Sequence, residues 1–153
     1  MPREKGEDML ASRVLVATDG SEGARAAEKH AAELALLIPD AKIVVMNVGK
    51  VGLLDHPPDI LRTGESGETT NQVVEEAIGR ISAILGDSGV PVHAKAVNAP
   101  SEVEAIITEA DREPCGFIVV GNQGRSAASI CLLGSVAMGV AEKAHCPVTV
   151  AHV

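Results

Sequence analysis

At 153 residues, 46% hydrophobic and 22% charged, the chain has the size and mixture of one soluble globular domain, long enough to form a core without disulfides or structural metals. Thirteen Lys and Arg against 21 Asp and Glu leave a formal net charge of -8 with no basic stripe, which argues against nucleic acid or an anionic membrane as partner. Tyr and Trp are absent and Phe117 is the one aromatic, so no stacking platform exists for bases, sugars or a flavin, and the core has to be aliphatic.

Residues 1 to 11 mix Arg3 and Lys5 with Glu4, Glu7 and Asp8 and lack the apolar stretch of a secretory signal. A flexible tail is expected there, followed by a single domain over residues 12 to 153. Residues 13 to 18, a β-branched run, predict a strand that stops at the turn dipeptide Asp19-Gly20. Ser21 to Ile38 predicts a helix: Ala24, Ala27, Ala31, Leu34, Ala35 and Ile38 share one face, Glu22, Arg25, Lys29 and Glu33 lie off it, and Pro39 closes it. Residues 42 to 48 predict the second strand, and the Gly, Pro, Asp and Ser of residues 49 to 67 predict a long surface loop. A helix follows from about Glu68 to Leu85, burying Val73, Val74, Ala77, Ile81 and Ile84 or Leu85.

Residues 90 to 97 read as a third strand, with Pro91 near its start favouring an edge position. Ser101 begins a helix to about Arg112, with Glu104 placed to complete a capping box. Phe117 to Val120 is a continuous apolar run, the mark of a strand buried on both faces, and it ends in Gly121. A last helix over Ser135 to His145 and a last strand over Pro147 to Val153 complete the pattern. Five strands separated by helical stretches imply an α/β fold with an open, mostly parallel sheet and helices on both faces. In such sheets the ligand crevice lies beyond the carboxyl ends of the strands, which directs attention to Asp19, Val48, Asn98 and Gly121.

The most informative stretch is Gly121-Asn122-Gln123-Gly124, then nine residues, then Gly134-Ser135. Glycines after a buried strand let the backbone approach another group closely, and a Gly-Ser pair at a helix start offers free N–H groups and a hydroxyl to an anion. The same glycines also suit plain turn and cap positions. Asp19 carries two readings as well, a hydrogen-bond acceptor for a ligand or a cap for the helix starting near Ser21.

With Val120 before it and Ser135-Val136 at its end, this stretch resembles the nucleotide motif of the universal stress protein family. The similarity extends to VLVATDGS at residues 14 to 21, Asn47-Val48, VNAPSEVEAI at 97 to 106 and HCPVTV at 145 to 150, in order over nearly the whole chain. The resemblance implies a Rossmann-like sheet of strand order 3-2-1-4-5 and binding of ATP or another adenine nucleotide. Adenine is then expected near Thr18, Asp19 and the backbone of Val48, and ribose and phosphates near Val120, Gly121, Gln123, Gly124, Gly134, Ser135 and Val136. Departures from the family pattern are Asn122-Gln123 for Ser-His or Ser-Arg, Asn98 for a glycine and Ala137 for a hydroxyl residue, with Arg125 the one basic residue between 125 and 133. Each weakens a polar or basic contact, and adenine binding survives such changes better than tight triphosphate binding, which keeps AMP, cyclic AMP and ADP as ligands beside ATP. They also support an alternative, a protein-interaction module of the same fold that binds no nucleotide.

No Walker, dinucleotide-binding or nucleophile-elbow motif occurs, so the expectation is a binding protein rather than an enzyme, with weak ATPase or self-phosphorylating activity left open. Magnesium is expected only through the phosphates. The five histidines are scattered without zinc spacing, and Cys115, Cys131 and Cys146 show no paired framework, which reads as reduced thiols in a cytoplasmic protein, Cys115 and Cys131 serving as apolar filler. The family's strand order leaves the last strand at an open edge, so Pro147 to Val153 is expected to join two chains as an antiparallel homodimer.

Overall fold

The computed structural model describes residues 12–50, 68–113, 115–123 and 133–153. The expected tail at 1–11, most of the expected loop, Gly124, Arg125 and Cys131 lie outside the described residues. Five strands are present: β1 (Arg13–Ala17), β2 (Lys42–Lys50), β3 (Val92–Ala99), β4 (Phe117–Gly121) and β5 (Val148–Ala151). Between them lie α1 (Glu22–Leu37), α2 (Glu68–Leu85), α3 (Glu102–Arg112) and α4 (Ser135–Lys143). The sheet order is β3-β2-β1-β4-β5 and every adjacent pair is parallel, as the sequence implied.

The two-residue period of the strands sorts the core into two layers. Val14, Val16, Ile43, Val45 and Val119 point to one face, where α1 and α2 cover them with Ala27, Ala31, Ala35, Val74, Ala77 and Ile81. Leu15, Val44, Met46, Ile118 and Val120 point to the other, under Ile106 and Ala110 of α3 and Ala137 and Val140 of α4. The register Leu15↔Ile118 and Val16↔Val119 keeps each face consistent across the sheet. Short alanines along α1 let that helix sit close to the strands. The core is aliphatic, with Phe117 only partly buried against the first layer.

Several boundaries shift for backbone reasons. The β2–β3 ladder runs on through Gly49↔Asn98 and Lys50↔Ala99, because ladder hydrogen bonds are indifferent to side-chain hydropathy. β5 is shorter than expected, four residues, and α4 stops at Lys143 rather than His145. Ile84 is 38% exposed while Leu85 is buried, which settles that pair. β3 is an edge strand, as Pro91 suggested; Pro91 sits just outside it and its carbonyl accepts from Ile43 N at 2.9 Å. Ser101 Oγ accepts from Glu104 N at 3.3 Å, but the Glu104 carboxylate pairs with Lys143 of α4, so the expected capping box is half formed. Among the described residues, no helix is long and apolar enough to cross a membrane.

Candidate functional site

Strand order reverses at β1, which has β2 on one side and β4 on the other, and the crevice this creates opens at their carboxyl ends. The chain leaves β1 through Thr18, Asp19 and Gly20. Thr18 is buried, its N–H donating to Met46 O at 2.9 Å and its carbonyl accepting from Asn47 Nδ2 at 2.6 Å. Its hydroxyl donates to Glu28 Oε1 at 2.5 Å and accepts from Gly20 N at 3.2 Å. Asp19 Oδ1 accepts from Ser21 N at 2.9 Å, an Asx turn, and Gly20 takes the left-handed φ of 80° that the turn needs. The N-cap of α1 is Ser21, whose Oγ accepts from Ala24 N at 3.3 Å. Asp19 thus braces the turn two residues before the cap.

Glu28, 1% exposed on α1, closes this network from beneath. Arg80 of α2 reaches it through Nε at 2.6 Å and Nη2 at 2.9 Å. The hydrogen bond to Glu28 raises the Arg80 pKa against the opposing effect of burial. One carboxylate therefore links the crevice turn, α1 and α2.

From the other side come β4 and the segment after it. A Cβ on Gly121 would stand 2.4 Å from Gly23 C and 2.9 Å from Ala24 N, and one on Gly23 would stand 2.2 Å from Gln123 O. The two glycines let the end of β4 lie directly on the first turn of α1. The backbone that Gly121 approaches within the chain is that of α1, and its φ is not left-handed. Asn122 N donates to Ala151 O of β5 at 2.8 Å, and Asn122 O accepts from Gly134 N at 2.6 Å, which brings the start of α4 beside the end of β4. Asn122 Oδ1 is buried with no partner among the described residues.

The N-cap of α4 is Gly134, not Ser135, and no side chain caps it. Ser135 is the first helical residue and exposed, Val136 is partly exposed and Ala137 buried. Helix-start N–H groups without a cap, carrying the positive end of the helix dipole and no acidic residue in the first turn, form an anion-accepting terminus. Thr18, Asp19, Gly121, Gln123, Gly134 and Ser135 are thus brought to one end of the sheet. Val120 is buried in the core just below, and Val48 packs beneath the same end of β2. Gly23, Glu28 and Arg80 hold this site together and carried no sequence signal, since the Glu28–Arg80 pair spans 52 positions along the chain and Gly23 meets only backbone.

A groove of about 490 Å³ lies elsewhere, between β3 and α3, lined by Met46, Lys95, Val97, Asn98, Thr108 and Glu109 among others. Asn98, at a strand end, belongs to this groove. Among the described residues no three His, Cys, Asp or Glu are grouped to hold a metal ion.

A parallel sheet with its crevice at the strand-order reversal, flanked by an open helix start, defines a Rossmann-like binding fold. The model of the universal stress protein family matches residues 11–152, and the chain belongs to that family. A universal stress protein of Methanocaldococcus jannaschii is 29% identical over 145 residues, 95% of this chain and 84% of that protein. A solved universal stress protein in complex with cAMP has a TM-score of 0.69 at 25% identity, over 93% of this chain and 97% of the other. The Archaeoglobus fulgidus universal stress protein in complex with dAMP has a TM-score of 0.67 at 23% identity, over 94% and 99%, a likeness of fold.

Proposed function

We propose that this chain binds an adenine nucleotide, ATP or a smaller relative such as ADP, AMP or cyclic AMP, at the carboxyl ends of β1, β2 and β4, in a stress-response or signalling role. The observation that carries the reading is the uncapped start of α4 held beside the end of β4. Backbone N–H groups at Ser135, Val136 and Ala137 suit phosphate oxygens in a chain whose net charge of -8 offers no basic patch for the task. The buried, unpartnered Asn122 Oδ1 suits a donor brought by a ligand, such as a ribose hydroxyl. Membership of a family in which a relative holds cAMP supports the same reading. Adenine lies near Asp19 and the backbone of Val48, and ribose and phosphates lie along Val120, Gly121, Gln123, Gly124, Gly134, Ser135 and Val136. Magnesium enters through the phosphates.

Calorimetric titration with ATP, ADP, AMP, cyclic AMP and GTP, with and without magnesium, tests this. Adenine nucleotides are expected to bind in preference to GTP. Ser135→Glu places a carboxylate where phosphate should sit, and is expected to weaken binding at least about tenfold, ~1.4 kcal/mol. The same acidic residue in a helix first turn favours the helix, so the fold is retained. Absence of heat with every adenine nucleotide at millimolar concentration overturns the proposal. That outcome favours an interaction module of the same fold, to which the buried Ala137, in place of a hydroxyl, already lends support.

We also infer a homodimer through Pro147 to Val153, because among the described residues β5 has β4 on one side and no strand on the other, an edge open to pairing with a second copy.

A further inference from the structure

Cys115 and Cys146 are 31 positions apart, and nothing in their spacing links them. The fold does. Cys115 stands two residues before β4 and Cys146 two residues before β5, and the parallel register that pairs Ile118 with Val148 carries both to the same end of neighbouring strands. Their sulfurs are 3.6 Å apart. A disulfide has an S–S length of about 2.05 Å and spans Cα atoms roughly 4.4–6.8 Å apart, a range that includes the ~4.8 Å between adjacent strands. Closing the bond requires the two sulfurs to approach by a further ~1.5 Å.

We propose that Cys115 and Cys146 are a redox modification site, closing reversibly to an intramolecular disulfide by exchange with a small disulfide of the glutathione class. The two thiols differ in access. Cys115 is 7% exposed, whereas Cys146 is partly open to solvent. Burial pushes the Cys115 thiol up to about 12, with the neighbouring Cys146 adding to the rise, and access to solvent makes Cys146 the sulfur that meets glutathione disulfide first. Cys146, as thiolate, attacks one sulfur of glutathione disulfide, forming a mixed disulfide and releasing one glutathione thiolate. That step removes the charge of Cys146 from beside Cys115. Cys115 then gives up its proton to solvent and attacks Cys146 Sγ, releasing the second glutathione. Two protein thiols are oxidised by two electrons, one glutathione disulfide is reduced to two thiols, and the two thiol protons end on the products.

The new bond ties the entry of β5 to the entry of β4, at the end of the sheet opposite the crevice. It closes a covalent ring around β4, residues 121–134 and α4, and secures the short edge strand against local opening. The inference does not depend on nucleotide binding.

Full-length protein, reduced and desalted, is incubated with glutathione disulfide without oxygen, and its thiols are counted before non-reducing peptide mass mapping. Loss of two of the three thiols with a Cys115–Cys146 linked peptide is expected, reversed by dithiothreitol. In the oxidised protein, amide exchange at Val148 to Ala151 is expected to slow by more than about tenfold. Cys131→Ser should behave like the wild type, and Cys146→Ser should lose the effect. A lasting glutathione adduct on Cys146, a link through Cys131 or between chains, or three unreacted thiols overturns the proposal. Mapping the wild type keeps the test decisive even if a variant at buried Cys115 fails to fold.

Discussion

Two glycines differ in what surrounds them, and the difference sets opposite signs for the same substitution. Gly121→Ala forces a methyl to within 2.4 Å of the Gly23 backbone, which has no flexible end to move aside. Overpacking of this kind costs about 1–3 kcal/mol. Gly79, exposed on α2, has nothing within 4 Å of its would-be Cβ, and Gly79→Ala should stabilise by about 0.5–1 kcal/mol through helix propensity. Urea unfolding of the two variants checks both signs. Glu28 supplies the third residue-scale test. Arg80→Met leaves a 1% exposed carboxylate with only the Thr18 hydroxyl, and breaking a buried pair costs about 3–5 kcal/mol. Because Arg80 itself is 32% exposed, water softens this, and a loss near 2 kcal/mol in the same experiment is expected.

At the scale of elements, α3 is anchored through Glu109. Its buried carboxylate takes Arg13 Nη2 at 3.1 Å from the start of β1, Lys95 Nζ at 3.6 Å from β3 and Arg112 Nη2 at 3.1 Å from its own helix. Burial pushes the Glu109 pKa up, but the hydrogen bonds from Arg112 and the charges of Lys95, Arg112 and Arg13 prevail and hold it below the ordinary 4.5. The folded value is depressed, so the contribution is complete above the unfolded value near 4.5 and is lost as pH falls from there through the folded value. Urea midpoints measured against pH should drop in that window, and Glu109→Gln should flatten the drop. Elements were legible in the sequence where hydropathy reports them: Val14 to Val16 and Ile43 to Met46 announce strands, and the alanine spacing announces α1. The crevice was legible because Asp19 and Gly121 mark where strands end and Gly134 where a helix begins. Glu28, Glu109 and Arg13 were not, since a buried charge looks like a surface charge until its partners, up to 100 positions away, are brought beside it by the fold. Gly134 took the cap position expected for Ser135 because its backbone bond to Asn122 O fixes where the helix begins.

For the whole molecule, the inferred β5 dimer would bring together two chains of -8 each. Strand pairing has to overcome that repulsion, so added salt should strengthen association by screening it. Light scattering at micromolar concentration is expected to give twice 15.7 kDa, with more dimer at high ionic strength. Val150→Pro removes an edge N–H and should return the mass to that of one chain.

The place of β1 in the middle of the sheet also governs how the chain can be made. β2 follows within 30 residues of β1, but β4 pairs with β1 across about a hundred positions, Val14 with Phe117. A ribosome adding ~5–20 residues per second therefore exposes a half-built sheet, β3-β2-β1, before its other neighbour exists. In that interval α1 and α2 can cover one face and α3 can cover part of the other, but α4 has not yet been made and the far edge of β1 has no strand beside it. The strand at the floor of the crevice is thus also the nascent chain's most vulnerable edge, and the yield of folded protein depends on how quickly Phe117 to Gly121 arrives to close it.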